Sequence, residues 1–180
     1  MKKELEFSLS LSDIKKLKNK ISDLKENLPK CANNITKSLA EYTYNEIQNN
    51  ISGTDYKDGN EDVEAFKNIS NNEATVGMKG SQVLYDEFGT GTQGEQSPHP
   101  LKGKFSLNRY NSGRRIRPAG KNNPHFPAGT KYWTYKNKNG DTVYTTGIPA
   151  GKQVYNASIA LQKQKSKIVN KEVGDILSKL

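Results

Sequence analysis

The stretch between Gly89 and Gly129 constrains the fold most, because glycine, proline, asparagine, serine and basic residues dominate it. Glycine and proline interrupt helices and strands, so we expect no regular structure over residues 89–129. A long irregular loop inside a compact domain is uncommon and is usually either functional or disordered. The regular elements are therefore expected before and after this loop.

Two helices are predicted near the N-terminus. Ser12 is a suitable N-cap, and apolar residues then recur at steps of three and four along one helical face. These apolar residues are Ile14, Leu17, Ile21, Leu24 and Leu28. Pro29 is suited to a helix start, so it separates this helix from a second one that runs from about Pro29 to Asn50. A helical hairpin and a single kinked helix both fit the pattern.

Two β-hairpins are predicted further along the chain. Residues 73–79 and 82–88 form the first, joined by a tight turn. Residues 52–72 before it read as a polar loop, in which Val63, Phe66 and Ile69 could form a short turn or strand. Residues 131–135 and 142–146 form the second, because both are rich in β-branched and aromatic side chains.

A long helix is predicted after Gly151, where apolar residues again follow a helical stripe. The order α-α-β-β-loop-β-β-α predicts an α+β fold. In this fold the N-terminal helices and the long C-terminal helix pack on a small antiparallel sheet, and a long basic loop interrupts it.

A length of 180 residues favours one compact domain. We expect four parts: a helical arm, a helix with a β-hairpin, a basic insertion loop, and a β-hairpin with the C-terminal helix. They span residues 1–28, 29–88, 89–129 and 130–180. No segment approaches the length of a membrane span, and acidic residues interrupt the start where a signal peptide would be apolar. We therefore expect a protein made and kept in a cytoplasm.

Positive charge is concentrated in one part of the chain. The net charge is +9, and residues 96–140 contain no aspartate or glutamate. Charges without counter-charges repel one another, so a partner that neutralises them would be stabilising. The residues expected to contact a partner or DNA are Lys102, Lys104, Arg109, Arg114, Arg115, Arg117 and Lys121.

Catalytic and metal-binding patterns are not recognised in the sequence. Cys31 is the single cysteine and is read as a small buried residue. His99 and His125 stand beside prolines in the basic loop and lack the further ligands that a metal site needs. Asp86 and Glu87 would point to opposite faces of a strand and so would not act as a pair. We expect no enzymatic activity, no cofactor, no metal and no small-molecule substrate.

Three segments resemble one protein family. The first is YDEFGTG, in which Tyr85, Glu87, Phe88, Gly89 and Thr90 match a strand-end motif. The second is the long loop that follows, and the third begins with Pro149 and Ala150 and leads into the last helix. Together they resemble the tail-completion, or head–tail joining, family of long-tailed bacteriophages and phage-like particles. The resemblance covers about residues 30–180, although Gln153, Val154 and Tyr155 depart from the Pro-Phe pattern of the family.

This resemblance implies a small α+β protein that assembles as a ring in the neck between portal and tail tube. The partners would be other copies of the chain and further neck or tail proteins, with DNA passing through the lumen. The expected location is the virion, after assembly in the cytoplasm of a bacterial host. Candidate subunit-interface residues are Tyr85, Glu87, Phe88, Gly89, Thr90, Pro149 and Ala150.

Two alternatives remain open at this point. The chain could be a sequence-independent nucleic-acid-binding protein that uses the basic loop over residues 96–140. A hydrolase whose site the sequence does not reveal is the weaker alternative.

Overall fold

The computed structural model describes residues 10–52, 63–80, 83–101, 104, 117–136 and 139–179. The helices are α1 (Leu11–Ser52), α2 (Val83–Phe88), α3 (Gly91–Gln96) and α4 (Gln153–Leu177). The strands are β1 (Glu64–Ser70), β2 (Glu73–Lys79), β3 (Arg117–Pro118), β4 (Lys131–Lys136) and β5 (Thr142–Thr145). β1 and β2 form one sheet, and β3, β4 and β5 form a second in that order. The predicted α+β fold with a long C-terminal helix is confirmed.

The described chain divides into two compact units. The first comprises residues 10–43, 67–76 and 160–179, and the second comprises the described residues between 44 and 66 and between 77 and 159. The single-domain prediction stays a prediction.

The helix α1 runs without a break from Leu11 to Ser52. Pro29 lies inside α1 and does not begin a second helix, so of the two arrangements that fit the sequence the single helix is found and the helical hairpin is wrong. Its ring costs one hydrogen bond and crowds the preceding turn, but tertiary packing overrides this local penalty. Packing is available after Pro29, where Cys31 and Ala40 are buried, as predicted for the cysteine.

The first unit ties α1 to a hairpin and to the end of α4 by polar contacts. Ser38 Oγ donates a hydrogen bond to Glu172 Oε1 at 2.7 Å, and Thr36 Oγ1 donates to the Asn72 carbonyl at 3.1 Å. Lys67 and Glu41 form an ion pair. These contacts complement the apolar burial on the same stretch of α1.

The first predicted hairpin pairs β2 with the wrong segment. β2 pairs with β1, within the segment predicted as a polar loop, and not with residues 82–88. The connecting Asn71 and Asn72 have φ of 39° and 68°, and asparagine tolerates this left-handed region better than most residues. The short turn therefore selects β1 as the neighbour of β2.

Residues 83–88 form a helix and not the predicted strand. The Gly89 N–H donates to the Tyr85 carbonyl at 2.8 Å, and Gly89 has a φ of +70°. A glycine in the left-handed region is a common end to a helix. The YDEFG sequence is therefore one helical turn with its terminating glycine.

The second predicted hairpin is confirmed. Trp133 faces Thr145, and Tyr135 faces Val143, in an antiparallel register between β4 and β5. Arg117 faces Tyr132 across β3 and β4. The prediction that residues 89–129 lack regular structure is wrong for α3 and β3, while 102–103 and 105–116 lie outside the described residues.

The second unit has its core around α1, α2 and the three-stranded sheet. Ile47 is fully buried, and Phe88, Trp133 and Ala157 are also buried. A Cβ on Gly91 would stand 2.0 Å from Trp133 Cζ3, so α3 can approach the tryptophan ring only with glycine there. This close approach fixes α3 against β4.

Candidate functional site

The start of α4 lacks a capping side chain of its own. Lys152 precedes the helix, has a φ of +58°, and carries no side-chain acceptor. Its Nζ atom instead donates to Ser97 Oγ at 3.2 Å. The first backbone N–H groups of a helix need acceptors, so another part of the chain has to supply them.

Glu87 supplies this cap from α2. Val154 donates its N–H to Glu87 Oε2 at 2.9 Å, and Tyr155 donates its N–H to Oε1 at 3.0 Å. A carboxylate at this position also interacts favourably with the positive end of the helix dipole. Glu87 is only 7% exposed, so its hydrogen bonds are partly shielded from bulk water and are stronger than hydrogen bonds at the surface.

His99 completes the cluster. Its Nε2 atom lies 2.9 Å from Glu87 Oε1, and its Nδ1 atom accepts the Leu101 N–H at 3.0 Å. Because Nδ1 is an acceptor, the proton of the neutral ring is on Nε2 and is donated to Glu87. The ring lies between Phe88 and Tyr155, with centroid distances of 4.5 and 5.2 Å. We call Glu87, His99, Val154 and Tyr155 the Glu87 junction.

Backbone hydrogen bonds extend the Glu87 junction to the Pro-Ala segment. Thr90 N donates to the Ile148 carbonyl at 2.7 Å, and Ile148 N donates to Thr90 Oγ1 at 3.1 Å. Gly151 N donates to the Asp86 carbonyl at 2.7 Å. A Cβ on Gly89 would stand 2.5 Å from the backbone nitrogen of Ala150, so the two segments meet without intervening side chains.

The predicted interface residues therefore lie together, mostly inside the chain. Glu87, Phe88, Gly89, Thr90 and Ala150 are buried, and Tyr85 and Pro149 are partly exposed. Asp86 and Glu87 are both buried, so the prediction of opposite strand faces is wrong because the segment is helical. Their role as subunit contacts stays a prediction.

A second cluster lies on one face of the three-stranded sheet. Side chains alternate along a strand, so Tyr132 and Lys136 of β4 share a face with Arg117 of β3 and Tyr144 of β5. Arg117 Cζ is 5.5 Å from the centroid of the Tyr132 ring, within the range of a cation–π contact. We call Arg117, His125, Tyr132, Lys136 and Tyr144 the basic sheet face.

The loop before β4 adds a stacked histidine to this face. The His125 ring stacks on Tyr144 with centroids 3.8 Å apart and an interplanar angle of 23°. Asn123 Oδ1 accepts the N–H groups of His125 and Phe126, both at 2.9 Å, and Asn123 Nδ2 donates to the Tyr132 hydroxyl at 3.1 Å. Asn123 therefore holds the loop against the sheet. His125 is exposed, and Tyr144 is 38% exposed.

The predicted partner-contact residues are only partly placed. Arg117 and Lys121 are exposed near this sheet, and Lys104 is exposed with its N–H bonded to the Leu101 carbonyl. Lys102, Arg109, Arg114 and Arg115 lie outside the described residues. His125 and Tyr144 were missed by sequence reasoning, since nothing in their spacing shows that the two rings stack.

None of the helices in the described part of the chain is long and apolar enough to cross a membrane. Among the same residues, no group of three or more histidine, cysteine, aspartate or glutamate side chains is arranged to hold a metal ion.

No protein-family model matches the chain, and neither a curated protein nor a solved structure matches it significantly. The resemblance to tail-completion proteins therefore stays a prediction from the motifs.

Proposed function

We propose that the chain is a structural ring subunit in the neck of a phage or phage-like particle, where it joins the tail to the head connector. The observation that supports this most is the meeting of residues 85–90 with residues 148–151 at the Glu87 junction. These are the two segments that carry the resemblance. Their contacts bring together the two ends of the segment between residues 91 and 147, which includes the basic region.

A segment whose two ends are held together suits a protein that must transmit force or hold a partner. Backbone hydrogen bonds between residues 86–90 and residues 148–152 hold together the two ends of the segment 91–147, within which the basic region lies. In this proposal the buried motif residues shape the subunit. Contact with a neighbouring subunit then falls to the partly exposed Tyr85 and Pro149 and to the basic insertion.

Deletion of the gene from its own genome tests this proposal. We expect DNA-filled heads and separate tails to accumulate without joining, as seen by electron microscopy of induced lysates. A plasmid copy of the wild-type gene should restore joined particles. Normal joined particles from the deletion strain would contradict a role in the neck.

A second candidate function is sequence-independent binding of nucleic acid by the same region. The basic sheet face favours it, because the exposed Arg117 and Lys136 share this face with the exposed, stacked rings of His125 and Tyr144, and none of its residues is acidic. Arginine and lysine bind phosphates, while aromatic rings stack on bases of any sequence. The two functions are compatible if this face lines a lumen through which DNA passes.

Binding of a fluorescent single-stranded oligonucleotide to the full-length protein tests this candidate. Phosphate contacts release counterions, so the affinity should fall steeply as salt rises from about 50 to about 200 mM. Weak binding that does not change with salt would contradict it.

A further inference from the structure

The first half of α1 carries an exposed apolar stripe with a heptad period. Ile14, Leu17, Ile21, Leu24 and Leu28 follow steps of three, four, three and four, which are the a and d positions of a coiled coil. This 3.5-residue period keeps one face turned towards a second helix as the two wind around each other.

The a positions of the stripe are largely exposed in the part of the chain that the structure describes, and Leu17 and Leu24 at the d positions are partly exposed. Ile14 is 52% exposed, Ile21 is 55% exposed and Leu28 is 61% exposed. The pattern changes after Pro29, where Cys31, Ala40 and Ile47 are 6% exposed or less. The apolar residues of one continuous helix thus divide into a packed set and an unpartnered set, with Pro29 between them.

The residues flanking the stripe indicate the charge of its partner. With Ile14 at a, Lys18 and Lys25 occupy e positions and Lys20 occupies a g position. These positions set partner choice in coiled coils through charge pairs. Three flanking lysines therefore favour a helix with glutamate or aspartate at its own e and g positions.

A second copy of the chain fits less well. In a parallel pair of copies Lys20 would face Lys25, which offsets the attraction between Asp13 and Lys18. In an antiparallel pair, e positions face e positions and g positions face g positions, so lysine again meets lysine.

We propose that residues 14–28 form a docking arm for a helix of another protein, with apolar residues at heptad spacing and acidic residues flanking them. The apolar stripe supplies the contact area, and the lysines select the acidic partner and disfavour self-pairing. This surface goes beyond the proposed neck role, since it specifies a kind of partner whatever assembly the chain belongs to.

Two labelled synthetic helical peptides test the docking arm against the full-length protein. Both carry isoleucine at a and leucine at d, and one has glutamate at e and g where the other has lysine. We expect the glutamate peptide to bind about tenfold more tightly or better, measured by fluorescence anisotropy. Equal binding of both peptides, or binding of neither, would overturn the proposal.

Matched variants locate the binding site. Ile21→Glu places a charge in the stripe and should abolish binding, whereas Asn19→Glu adds the same charge on the opposite side of the helix and should leave binding unchanged. Substitution of Lys18, Lys20 and Lys25 by glutamate should switch the preference to the lysine peptide. Nonspecific hydrophobic binding would show no such switch. Loss of binding in Asn19→Glu equal to that in Ile21→Glu would overturn the assignment.

Self-pairing is tested on the same samples. Light scattering should report that the wild type and Ile21→Glu have the same mass. A wild-type dimer that Ile21→Glu converts to a monomer would overturn the proposal in favour of a second copy as the occupant.

Discussion

Glu87 shows how one side chain can satisfy several buried groups at once. Its two oxygens accept hydrogen bonds from Val154, Tyr155 and His99, which come from two different parts of the chain. Because His99 is buried and the N–H groups of Val154 and Tyr155 are partly buried, removing the acceptor leaves these donors without their partner in a poorly solvated place. The cost should therefore exceed that of losing an ordinary helix cap.

Glu87→Ala should lower the free energy of unfolding by about 2–5 kcal/mol, since a cap and a buried charged hydrogen bond are lost together. Glu87→Gln retains one acceptor oxygen and should cost less. Urea unfolding followed by circular dichroism measures both. Glu95→Ala is the control, because Glu95 is exposed and its loss should change stability by no more than about 0.5 kcal/mol. Similar losses for Glu87→Ala and Glu95→Ala would contradict the junction.

Gly89→Ala separates backbone strain from crowding. Gly89 and Gly129 both have positive φ, but a Cβ on Gly89 would meet Ala150, Ile148 and Pro149 backbone atoms, whereas one on Gly129 would meet nothing within 4 Å. Gly129→Ala should cost about 1 kcal/mol for the left-handed backbone alone. Gly89→Ala should cost clearly more, by about 2 kcal/mol or above, because backbone atoms must move. Equal unfolding midpoints would show that the close approach is absent.

At the scale of single elements, α1 is one helix with two different environments. Its second half packs in both units, while its first half exposes an apolar stripe. Pro29 lies between the exposed first half and the packed second half, and it removes one backbone hydrogen bond from the first half. We expect the helix before Pro29 to open more easily than the helix after it.

Pro29→Ala should strengthen the first half of α1. An interior proline costs about 3 kcal/mol relative to alanine, and Pro29 is exposed, so no packing is lost. Hydrogen exchange of residues 14–28 should slow, and the thermal midpoint should stay the same or rise. Pro124→Ala in an exposed loop is the control and should destabilise slightly, since proline there restricts the unfolded chain. Faster exchange in Pro29→Ala would contradict a regular helix through this position.

At the scale of the whole molecule, the net charge of +9 makes some attraction to any polyanion inevitable. Charge changes at two different places on the protein distinguish binding at a specific site from attraction to the overall net charge. The basic sheet face combines cations with stacked rings, while Lys163 and Lys167 are exposed on α4. The same change in net charge at these two places should therefore have different effects on nucleic-acid binding.

Arg117→Glu with Lys136→Glu should weaken binding of a single-stranded oligonucleotide about tenfold or more at low salt and flatten its salt dependence. Lys163→Glu with Lys167→Glu makes the same charge change and should have a much smaller effect. Tyr144→Ala should weaken binding by about 1–3 kcal/mol through lost stacking. Fluorescence anisotropy measures all three, and equal effects of the two charge reversals would indicate that only net charge matters.

Local patterns in the sequence predicted the elements whose signals are complete within a few residues. Alternating β-branched and aromatic residues around Gly140 specified the β4–β5 hairpin, and an apolar stripe interrupted at Lys165 specified α4. The α+β class followed from the order of these elements. The acid-free region and the heptad spacing of residues 14–28 were likewise readable, because charge and period are properties of the chain itself.

Features that depend on contacts between residues far apart in sequence were decided only by the tertiary structure. Residues 83–88 place apolar side chains on both faces of the strand predicted for them, yet they form a helix because Gly89 ends it and Glu87 reaches the start of α4. Gly151 and Lys152 before α4 carry no side-chain acceptor for a cap, and Glu87, which replaces it, lies far away in sequence. Stacking of His125 on Tyr144 and burial of His99 arise in the same way, since packing free energy depends on neighbours that no local window contains.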